Sequence, residues 1–227
     1  MNSPKNQYLE VVYNPEDRPF TAYPDQLARY LADRYGMQSH HRLLEPGCGR
    51  GEFLRGFLRC GLQGFGVDQS DIARTLCPEA EIRVADLEKG LPYEDGFFDF
   101  IYSKSVIEHF YYPENLVREM FRALKPGGLL ITLTPDWEYV YQSFYEDYTH
   151  RTPFTSTSLR DILLIHGFQE VSVEKFRQLP IVWKYPWMKY VSILTGWICP
   201  RALEKHSKFI RFSKQIMLLA TAVKPES

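Results

Sequence analysis

Three glycines at alternate positions follow an acidic residue in the segment LEPGCGRG, residues 44–51. Pro46 cannot donate a ladder hydrogen bond, so the apolar run before it predicts a buried strand that ends near Glu45. The glycines permit backbone angles closed to other residues and let a ligand approach the main chain. Because a helical pattern of apolar residues comes next, the segment predicts a strand, a loop and a helix N-terminus. Together these bind a negatively charged or electron-rich group.

The spacing of the glycines limits the choice of ligand. Loops that bind dinucleotides follow the pattern G-x-G-x-x-G, whereas this loop reads E-P-G-C-G-R-G. No lysine follows at the position that a phosphate-binding Walker loop would need. The pattern therefore disfavours both a dinucleotide and a nucleoside triphosphate.

Acidic residues recur where the first three predicted strands end, at Glu45, Asp68 and Asp86. The carboxylate of Asp68 offers two oxygens, enough to accept hydrogen bonds from both hydroxyls of a ribose. Asp86 can accept a hydrogen bond from an exocyclic amine such as that of adenine. A single acid at a strand end is commonly a turn residue, but three at successive strand ends, beside a glycine loop, indicate a ligand site. Two acids near the ligand suit a cationic cofactor better than a pyrophosphate.

Strands and helices alternate along the chain. After the first strand, further strands are predicted over residues 64–68, 81–86, 97–103, 129–135, 170–176 and 215–223. Helices are predicted over residues 23–35, 52–60, 70–76, 114–128 and 158–168. The last of these helices opens with Ser158 and Asp161 at the spacing of a capping box. Repeated strand–helix units predict an α/β fold with a mostly parallel sheet, which binds ligands at the carboxyl ends of its strands.

Length and composition set further limits. We expect residues 1–227 to form a single domain, because a chain of this length can bury a full core. The net charge of -1 disfavours a nucleic-acid partner. Four cysteines without a C-x-x-C pair argue against a disulfide framework and fit a reducing compartment. No apolar signal region opens the chain, and no apolar run reaches the ~18 residues that cross a bilayer, so we expect a cytoplasmic protein.

Several ordered segments resemble those of class I S-adenosylmethionine-dependent methyltransferases. They are LLEPGCGRG, FGVD, VADLEKGLPYEDGFFDFIYSKSVIEHF and ALKPGGLLITLTP. The likeness spans residues 41–135 and continues more weakly to residue 168. It implies a Rossmann-like three-layer sandwich whose seven-stranded, mostly parallel sheet has an antiparallel last strand. The glycine loop would then hold the amino-acid end of a sulfonium cofactor, S-adenosyl-L-methionine.

The same resemblance implies roles for individual residues around this cofactor. Asp68 would bind the ribose hydroxyls, and Asp86 would bind the adenine amine. The remaining candidates for cofactor binding are Glu45, Gly47, Gly49, Gln69, Leu87 and Ser103. Among them the two glycines would pass close to the methionine end, the glutamate would order the loop, and the serine would lie beside the cofactor.

Catalysis asks mainly for positioning, because a methyl sulfonium is already activated and in-line transfer needs a nucleophile at about 3 Å. If the acceptor is a hydroxyl, a base helps to remove its proton. The acceptor should lie after the fourth and fifth strands, and His109 is the first candidate base since a neutral imidazole is available near pH 7. His150 is the second candidate. His109 could instead cap a loop or pack beneath the cofactor, and the aromatic residues before His150 could form an acceptor pocket or a packed helix face.

One segment of the sequence is a candidate for a metal site. The segment DFIYSKSVIEHF is similar to one in ubiquinone O-methyltransferases, where acidic residues and a histidine hold a divalent ion. Asp99, Glu108 and His109 have counterparts there. Ser105, however, stands where another glutamate would help to bind the ion, and the loss of a hard oxygen ligand weakens the case. The sequence therefore predicts no metal.

Two terminal regions carry individual features. Residues 1–40 predict an N-terminal helix and, through YNPEDRPFTAYP, either a lid over the cofactor or a surface arm. Residues 180–212 predict an insertion between the last two strands. From Lys184 to Lys214 there are seven Lys or Arg and one acid, a charge of +6, with Trp187, Tyr190 and Leu194 on one helical face. This pattern suits peripheral membrane contact through residues 184–214, but also a cover on the acceptor site or a homodimer contact.

These observations predict an O-methyltransferase with a small-molecule acceptor. The segment YEDYTHRTPFTSTSLRDILLIHGF resembles methyltransferases of cell-surface glycan and lipid-linked precursor assembly. The resemblance favours a sugar or phosphate-bearing glycan precursor, hence polysaccharide biosynthesis near the inner face of the membrane. A phenolic or quinone-like lipid is the alternative acceptor. A non-catalytic protein that senses S-adenosylmethionine is a hypothesis of another class.

Overall fold

Seven strands form one sheet in the computed structural model, which describes residues 19–226. The strands are β1 (Arg42–Pro46), β2 (Gln63–Asp68), β3 (Glu81–Val84), β4 (Phe98–Lys104), β5 (Leu124–Pro135), β6 (Gln169–Phe176) and β7 (Met217–Val223). Their order in the sheet is β3-β2-β1-β4-β5-β7-β6, and only β7 runs antiparallel to its neighbours. The predicted sheet, including its antiparallel last strand, is confirmed.

Helices connect the strands and cover the sheet. They are α1 (Tyr23–Arg34), α2 (Glu52–Arg59), α3 (Ile72–Leu76), α4 (Pro113–Ala123), α5 (Trp137–Val140), α6 (Ser156–Ile165), α7 (Pro180–Lys184), α8 (Met188–Ile198) and α9 (Lys208–Lys214). Short 3₁₀ turns lie at Leu87–Lys89, Ile107–His109, Phe144–Glu146 and Arg201–Lys205. None of the helices within residues 19–226 has the length and apolar character needed to cross a membrane.

The sheet has a buried core on each face, because its central strands are apolar on both sides. On one face Leu27 and Leu31 of α1 and Phe57 of α2 pack with Tyr102 of β4. On the other face, Leu116 of α4 and Leu163 of α6 pack with apolar side chains of the central strands, which are Leu44, Val67, Ile101 and Leu130. This is the three-layer arrangement that the sequence predicts.

The strand order reverses between β1 and β4, where both strands pair in parallel. At such a reversal the loops leave the sheet in opposite directions and open a crevice beyond the carboxyl ends of the strands. The glycine loop follows β1 at this edge, and Ser105 follows β4. The topology therefore brings the cofactor candidates and the acceptor candidates to one edge.

Several element boundaries differ from the sequence prediction. Helix α4 ends at Ala123, and the next residues already pair with β4, with a register shift before Leu129. Strand β3 ends at Val84 because Asp86 caps the 3₁₀ turn that follows. The capping box of α6 is formed by Thr155 and Ser158, so the prediction that Ser158 opens it with Asp161 is wrong. Threonine three residues earlier satisfies the same spacing, and its hydroxyl reaches the amide of Ser158.

The segment between β6 and β7 folds into helical elements that pack on one another. Ser192 of α8 donates a hydrogen bond to Ser213 of α9 at 2.8 Å, and Lys214 donates to the carbonyl of Gly196 at 2.8 Å. Half of the proposed lid segment, residues 13–18, lies outside the described residues, whereas the predicted N-terminal helix is present as α1.

Candidate functional site

The glycine loop begins directly after β1, and its backbone has the conformation that glycine permits. Gly47, Gly49 and Gly51 have φ angles of 69°, 52° and 73°. A Cβ on Gly47 would lie 2.6 Å from Val106, and one on Gly51 would lie 2.8 Å from Cys77. A Cβ on Gly49 would meet no atom within 4 Å, so this glycine faces open space. The loop is packed at both ends and accessible at its centre, where a ligand can approach the main chain.

Asp68, at the end of β2, holds this loop. One carboxylate oxygen accepts from the amide of Gly49 at 2.8 Å, and the other accepts from the amide of Ser70 at 2.9 Å. Burial raises the pKa of Asp68, while these amides counteract the rise. Each carboxylate oxygen can accept a second hydrogen bond. The geometry is therefore compatible with a ribose diol bound at the loop, the role that the sequence suggests for Asp68.

The next strand end supplies the neighbouring polar group. The Asp86 carboxylate accepts from the side-chain amide of Gln69 at 3.2 Å and from the amide of Glu88 at 3.2 Å. Leu87, which follows, is buried in the core rather than directed to solvent. Asp68, Gln69 and Asp86 thus share one corner of the crevice, beside the glycine loop.

Two further cofactor candidates are buried beneath the loop. Burial raises the pKa of Glu45 well above its usual range, and the Leu54 amide is its backbone hydrogen-bond partner. Glu45 therefore ties β1 to helix α2. Ser103 on β4 is completely buried, and its hydroxyl has no partner within the described residues. Both residues lie at the carboxyl ends of their strands.

A cavity of about 670 Å³ opens on the other side of the crevice, beyond β4 and β5. Its walls come from five segments: the end of β4, the end of β5, the turns after β5, the residue Gln178 after β6, and the residues that lead into β7. The lining includes Ser105, Glu108, His109, Phe144, Asp147, Tyr148, His150, Gln178, Arg211, Gln215 and Met217. Both catalytic candidates, His109 and His150, therefore face the same cavity.

Backbone hydrogen bonds bring the two histidines together. The amides of Arg151 and Thr152 donate to the carbonyl of Glu108 at 2.8 and 3.0 Å, and the Thr152 hydroxyl donates to the carbonyl of Phe110. This docks the loop that carries His150 against the turn that carries His109. The two imidazole rings have centroids 4.8 Å apart and meet edge to face.

The hydrogen bonds of the histidines determine which nitrogen is available to the cavity. His150 Nδ1 lies 2.6 Å from the carbonyl of Phe144, an acceptor, so Nδ1 carries the proton. The Thr149 hydroxyl donates to Asp147 at 2.6 Å and lies 2.9 Å from His109 Nδ1. Because that hydroxyl has a single proton, His109 Nδ1 is the donor to Thr149. In the neutral form both rings therefore leave Nε2 with a free lone pair.

The surroundings of His109 favour its neutral imidazole. The pKa of His109 is lowered mainly by burial and secondly by the neighbouring His150. Burial raises the pKa of Glu108 to about 7. One oxygen of this buried carboxylate accepts from Thr134 at 3.0 Å, and the other has no partner within the described residues. The cavity floor thus holds two proton-accepting nitrogens and one unpartnered carboxylate oxygen.

Sequence reasoning missed several residues of this cavity. It did not single out Asp147 and Thr149 as a pair that orients His109, although a D-x-T turn was a local signal for side-chain hydrogen bonds. Gln178, Arg211 and Gln215 reach the cavity because β7 pairs both with the end of β5 and with β6. No local pattern in the sequence indicates that contact.

Comparison with known sequences agrees with this geometry. A family model described as a methyltransferase domain matches residues 16–173. A sterol 24-C-methyltransferase of Schizosaccharomyces pombe is 32% identical over 124 residues, which cover 48% of this chain and 32% of that protein. A ubiquinone biosynthesis O-methyltransferase of Alkalilimnicola ehrlichii is 31% identical over 113 residues, which cover 46% of each chain. The chain thus spans about a third to a half of the length of these relatives.

Among solved structures, one similar fold is the methyltransferase in a complex with the Trm112 methyltransferase activator of Haloferax volcanii. The two chains are 20% identical and superpose with a TM-score of 0.71, covering 99% of each. At this identity the likeness concerns the fold, and it extends over the whole sheet and its helices.

Proposed function

The chain belongs to the family of methyltransferase domains, and from that premise we propose that it methylates a hydroxyl of a sugar or of a phosphate-bearing glycan precursor. The methyl donor is S-adenosylmethionine, the cofactor of this family and of solved structures with the same fold. One observation carries the choice of a hydroxyl acceptor: two imidazoles have Nδ1 bound to the protein, so that in the neutral form each presents its Nε2 lone pair to a polar cavity. That is the arrangement that removal of a hydroxyl proton requires.

Different residues of the crevice bind the cofactor and accept the proton. Asp68, Gln69 and Asp86 bind the ribose and adenine, and the backbone at Gly49 lets the methionine end approach. An acceptor in the cavity directs its oxygen at the methyl carbon, so that the new oxygen–carbon bond forms as the sulfur–carbon bond breaks. His109 Nε2 takes the hydroxyl proton. Thr149 and the Asp147 carboxylate then stabilise the imidazolium through Nδ1.

The lining of the cavity supports an oxygen-rich acceptor. Arg211, Gln178 and Gln215 present groups that bind hydroxyls or phosphates. Tyr148, which is exposed, adds aromatic surface on which a sugar ring can stack. A phenolic or quinone-like lipid is the second candidate, supported by the sterol and ubiquinone methyltransferases among the relatives.

We also propose that residues 184–214 touch an anionic membrane. Helix α8 turns Tyr190 and Trp197 to solvent, with 74% and 87% of their surfaces exposed, and Trp187 is exposed beside them. The lysines that precede α8, lie in it or follow it in the chain are exposed as well, at Lys184, Lys189, Lys205 and Lys208. Exposed aromatic side chains next to lysines suit the interface of an anionic bilayer. A lipid-linked acceptor would then reach the cavity from the membrane side.

The experiment for the proposed reaction supplies S-adenosylmethionine and a panel of acceptors: nucleotide sugars, a lipid-linked sugar phosphate, and a phenol with an isoprenoid tail. Mass spectrometry measures S-adenosylhomocysteine and the methylated product. We expect turnover with a member of the sugar group and a methyl ether in the product. Turnover with the phenol alone would show that the acceptor is a phenolic lipid and not a sugar. If S-adenosylhomocysteine binds but no acceptor is methylated, the chain is a cofactor sensor.

A further inference from the structure

We infer that Glu108, His109 and His150 form a binding site for a divalent transition-metal ion at the floor of the acceptor cavity. One ligand atom from each of these residues lies within 4.8 Å of the others. All three residues line the cavity. Two imidazoles and a carboxylate are a donor set that first-row divalent ions accept, with further positions left for oxygen ligands.

The hydrogen bonds of the three side chains leave suitable donor atoms unused. In each histidine, Nδ1 is bound to the protein, to Thr149 in one ring and to the Phe144 carbonyl in the other. Such bonds fix the ring and leave Nε2 as the coordinating nitrogen, as is usual for histidine ligands. Glu108 is completely buried, and its Oε1 has no partner within the described residues. A buried carboxylate oxygen without a partner costs stability unless a cation or a donor meets it.

Hydrogen bonds on the side away from the cavity fix the position of Glu108. Thr134 donates to Glu108 Oε2 at 3.0 Å, and the Arg151 and Thr152 amides fix the carbonyl of the same residue. Metal–nitrogen bonds of about 2.0–2.1 Å place neighbouring donors roughly 3–3.5 Å apart. A movement of about an ångström therefore closes the group around an ion. The remaining coordination positions of the ion would face the cavity, which lies on the open side of the three side chains.

This site differs from the one that the sequence led us to reject. Asp99 lies at the start of β4, where it binds the amide of Arg42 and Lys125, so it cannot join Glu108 at the other end of the strand. Ser105 does not supply a carboxylate. The third ligand is instead His150, which arrives from a loop after β5. The prediction of no metal depended on Ser105, whereas His150 lies outside that segment of the sequence.

An ion here would have a chemical role toward the acceptor, and only that role rests on the proposed function. Two neighbouring oxygens of a sugar or catechol-like acceptor can occupy the open positions as a chelate. The positive charge favours loss of the hydroxyl proton, and it holds the oxygen in one place. With the ion bound, Nε2 of His109 is a ligand and does not take the proton, so the hydroxyl proton leaves to water in the open cavity. The base role of His109 in the proposed function then belongs to the metal-free protein.

The test uses tag-free protein, freed of metal by dialysis against a chelator and titrated with Co²⁺. We expect one equivalent to bind with visible absorption bands typical of nitrogen and oxygen ligands. His109→Gln, His150→Gln and Glu108→Gln should each weaken Co²⁺ binding at least tenfold. His40→Gln is the matched control. His40 is exposed, and it lies before β1, at the end of the strand away from the cavity. Its affinity for Co²⁺ should equal that of the wild type.

Calorimetry with S-adenosylhomocysteine shows whether each variant is folded. If a variant does not fold, the wild-type titration still decides, since an absent one-equivalent phase overturns the site. Equal Co²⁺ affinity in the wild type and in the His109→Gln, His150→Gln double variant also overturns it. Co²⁺ binding without methylation of any acceptor leaves the metal site intact and removes the proposed function. Full methylation in metal-free protein removes the role of the ion toward the acceptor.

Discussion

At the cofactor end of the crevice, the contacts join residues close in the chain, whereas at the acceptor end they join distant ones. Asp68 binds the amide of Gly49, 19 residues earlier, and Asp86 binds Gln69, 17 residues earlier. His109 and Thr149, by contrast, are 40 residues apart, and Thr134 bonds to Glu108 across 26 residues. The first end is a strand–loop–helix unit whose backbone makes the site. The second is assembled from side chains of separate segments.

From this difference we predict which substitutions will affect each end of the crevice. At the cofactor end, backbone conformation is decisive, so substitutions of glycine and of the loop-binding acid should matter most. At the acceptor end, individual side chains carry the chemistry, and the backbone around them can tolerate their replacement. The substitutions below test this distinction.

The largest effect is expected at the acceptor end, for His109→Ala. Turnover should fall about 10²–10⁴-fold, because a positioned base contributes that much. Affinity for S-adenosylhomocysteine, measured by calorimetry, should change little. His166→Ala is the control, since that ring bonds to the carbonyl of Ile162 in its own helix and does not line the cavity. Turnover within a fewfold of wild type would move the proton-accepting role to another residue, with His150 tested next.

At the cofactor end, Asp68→Ala should weaken S-adenosylhomocysteine binding at least tenfold. The variant loses the acceptor of the ribose hydroxyls and the partner of the Gly49 amide, and charged hydrogen bonds contribute about 1.5–3 kcal/mol each. Asp71→Ala is a matched control: its carboxylate makes no cap hydrogen bond at the start of α3. Calorimetry on both variants gives the comparison. Unchanged affinity in Asp68→Ala would remove this residue from the cofactor site.

Two glycine substitutions separate packing from ligand access within the loop. Gly47→Ala places a methyl group against Val106, so the left-handed backbone and the overpacking together should cost about 2–4 kcal/mol of unfolding free energy. Gly49→Ala meets open space and should cost only about 1–2 kcal/mol, yet its methyl group should block the cofactor. Urea unfolding and calorimetry measure the two quantities.

Gly36→Ala is the control for this pair, because Gly36 also has a positive φ angle and open space around it but lies outside the crevice. It should match Gly49→Ala in stability and keep full affinity for S-adenosylhomocysteine. If Gly49→Ala also keeps full affinity, the loop does not approach the cofactor at that residue.

The smallest effect on the crevice is expected from changes to the exposed face of α8 and its flanking cations. Replacement of Lys184, Lys189, Lys205 and Lys208 by glutamate should abolish sedimentation with anionic vesicles, because each cation near such a surface contributes about 1 kcal/mol. Cofactor affinity should not change, and added salt should weaken binding of the wild type. Wild-type protein that does not sediment at low salt would contradict membrane contact.

Trp187→Ala then decides between the two other roles of this segment. A changed Michaelis constant for the acceptor would indicate a cover on the cavity. A changed molecular mass in solution would indicate a homodimer contact instead.

Much of the cofactor end could be read from the sequence. Glycine spacing, the proline at the end of β1 and an acid at each strand end are local signals, since each depends on backbone geometry within a few residues. The seven-stranded sheet followed from alternating periodicity and from the resemblance of ordered motifs. The capping box of α6 was misplaced, because Thr155 and Ser158 satisfy the same spacing rule as Ser158 and Asp161.

The acceptor end was decided by the tertiary structure. The sequence indicated His109 and His150 as separate candidates, but only the docking of residues 151 and 152 on Glu108 brings the two rings together. The same contact turns a motif that lacks an acid at Ser105 into a cluster of two imidazoles and a carboxylate. The physical reason is that backbone conformation is set by near neighbours, whereas a cluster of side chains from distant segments exists only after the sheet has fixed the distances between its strand ends.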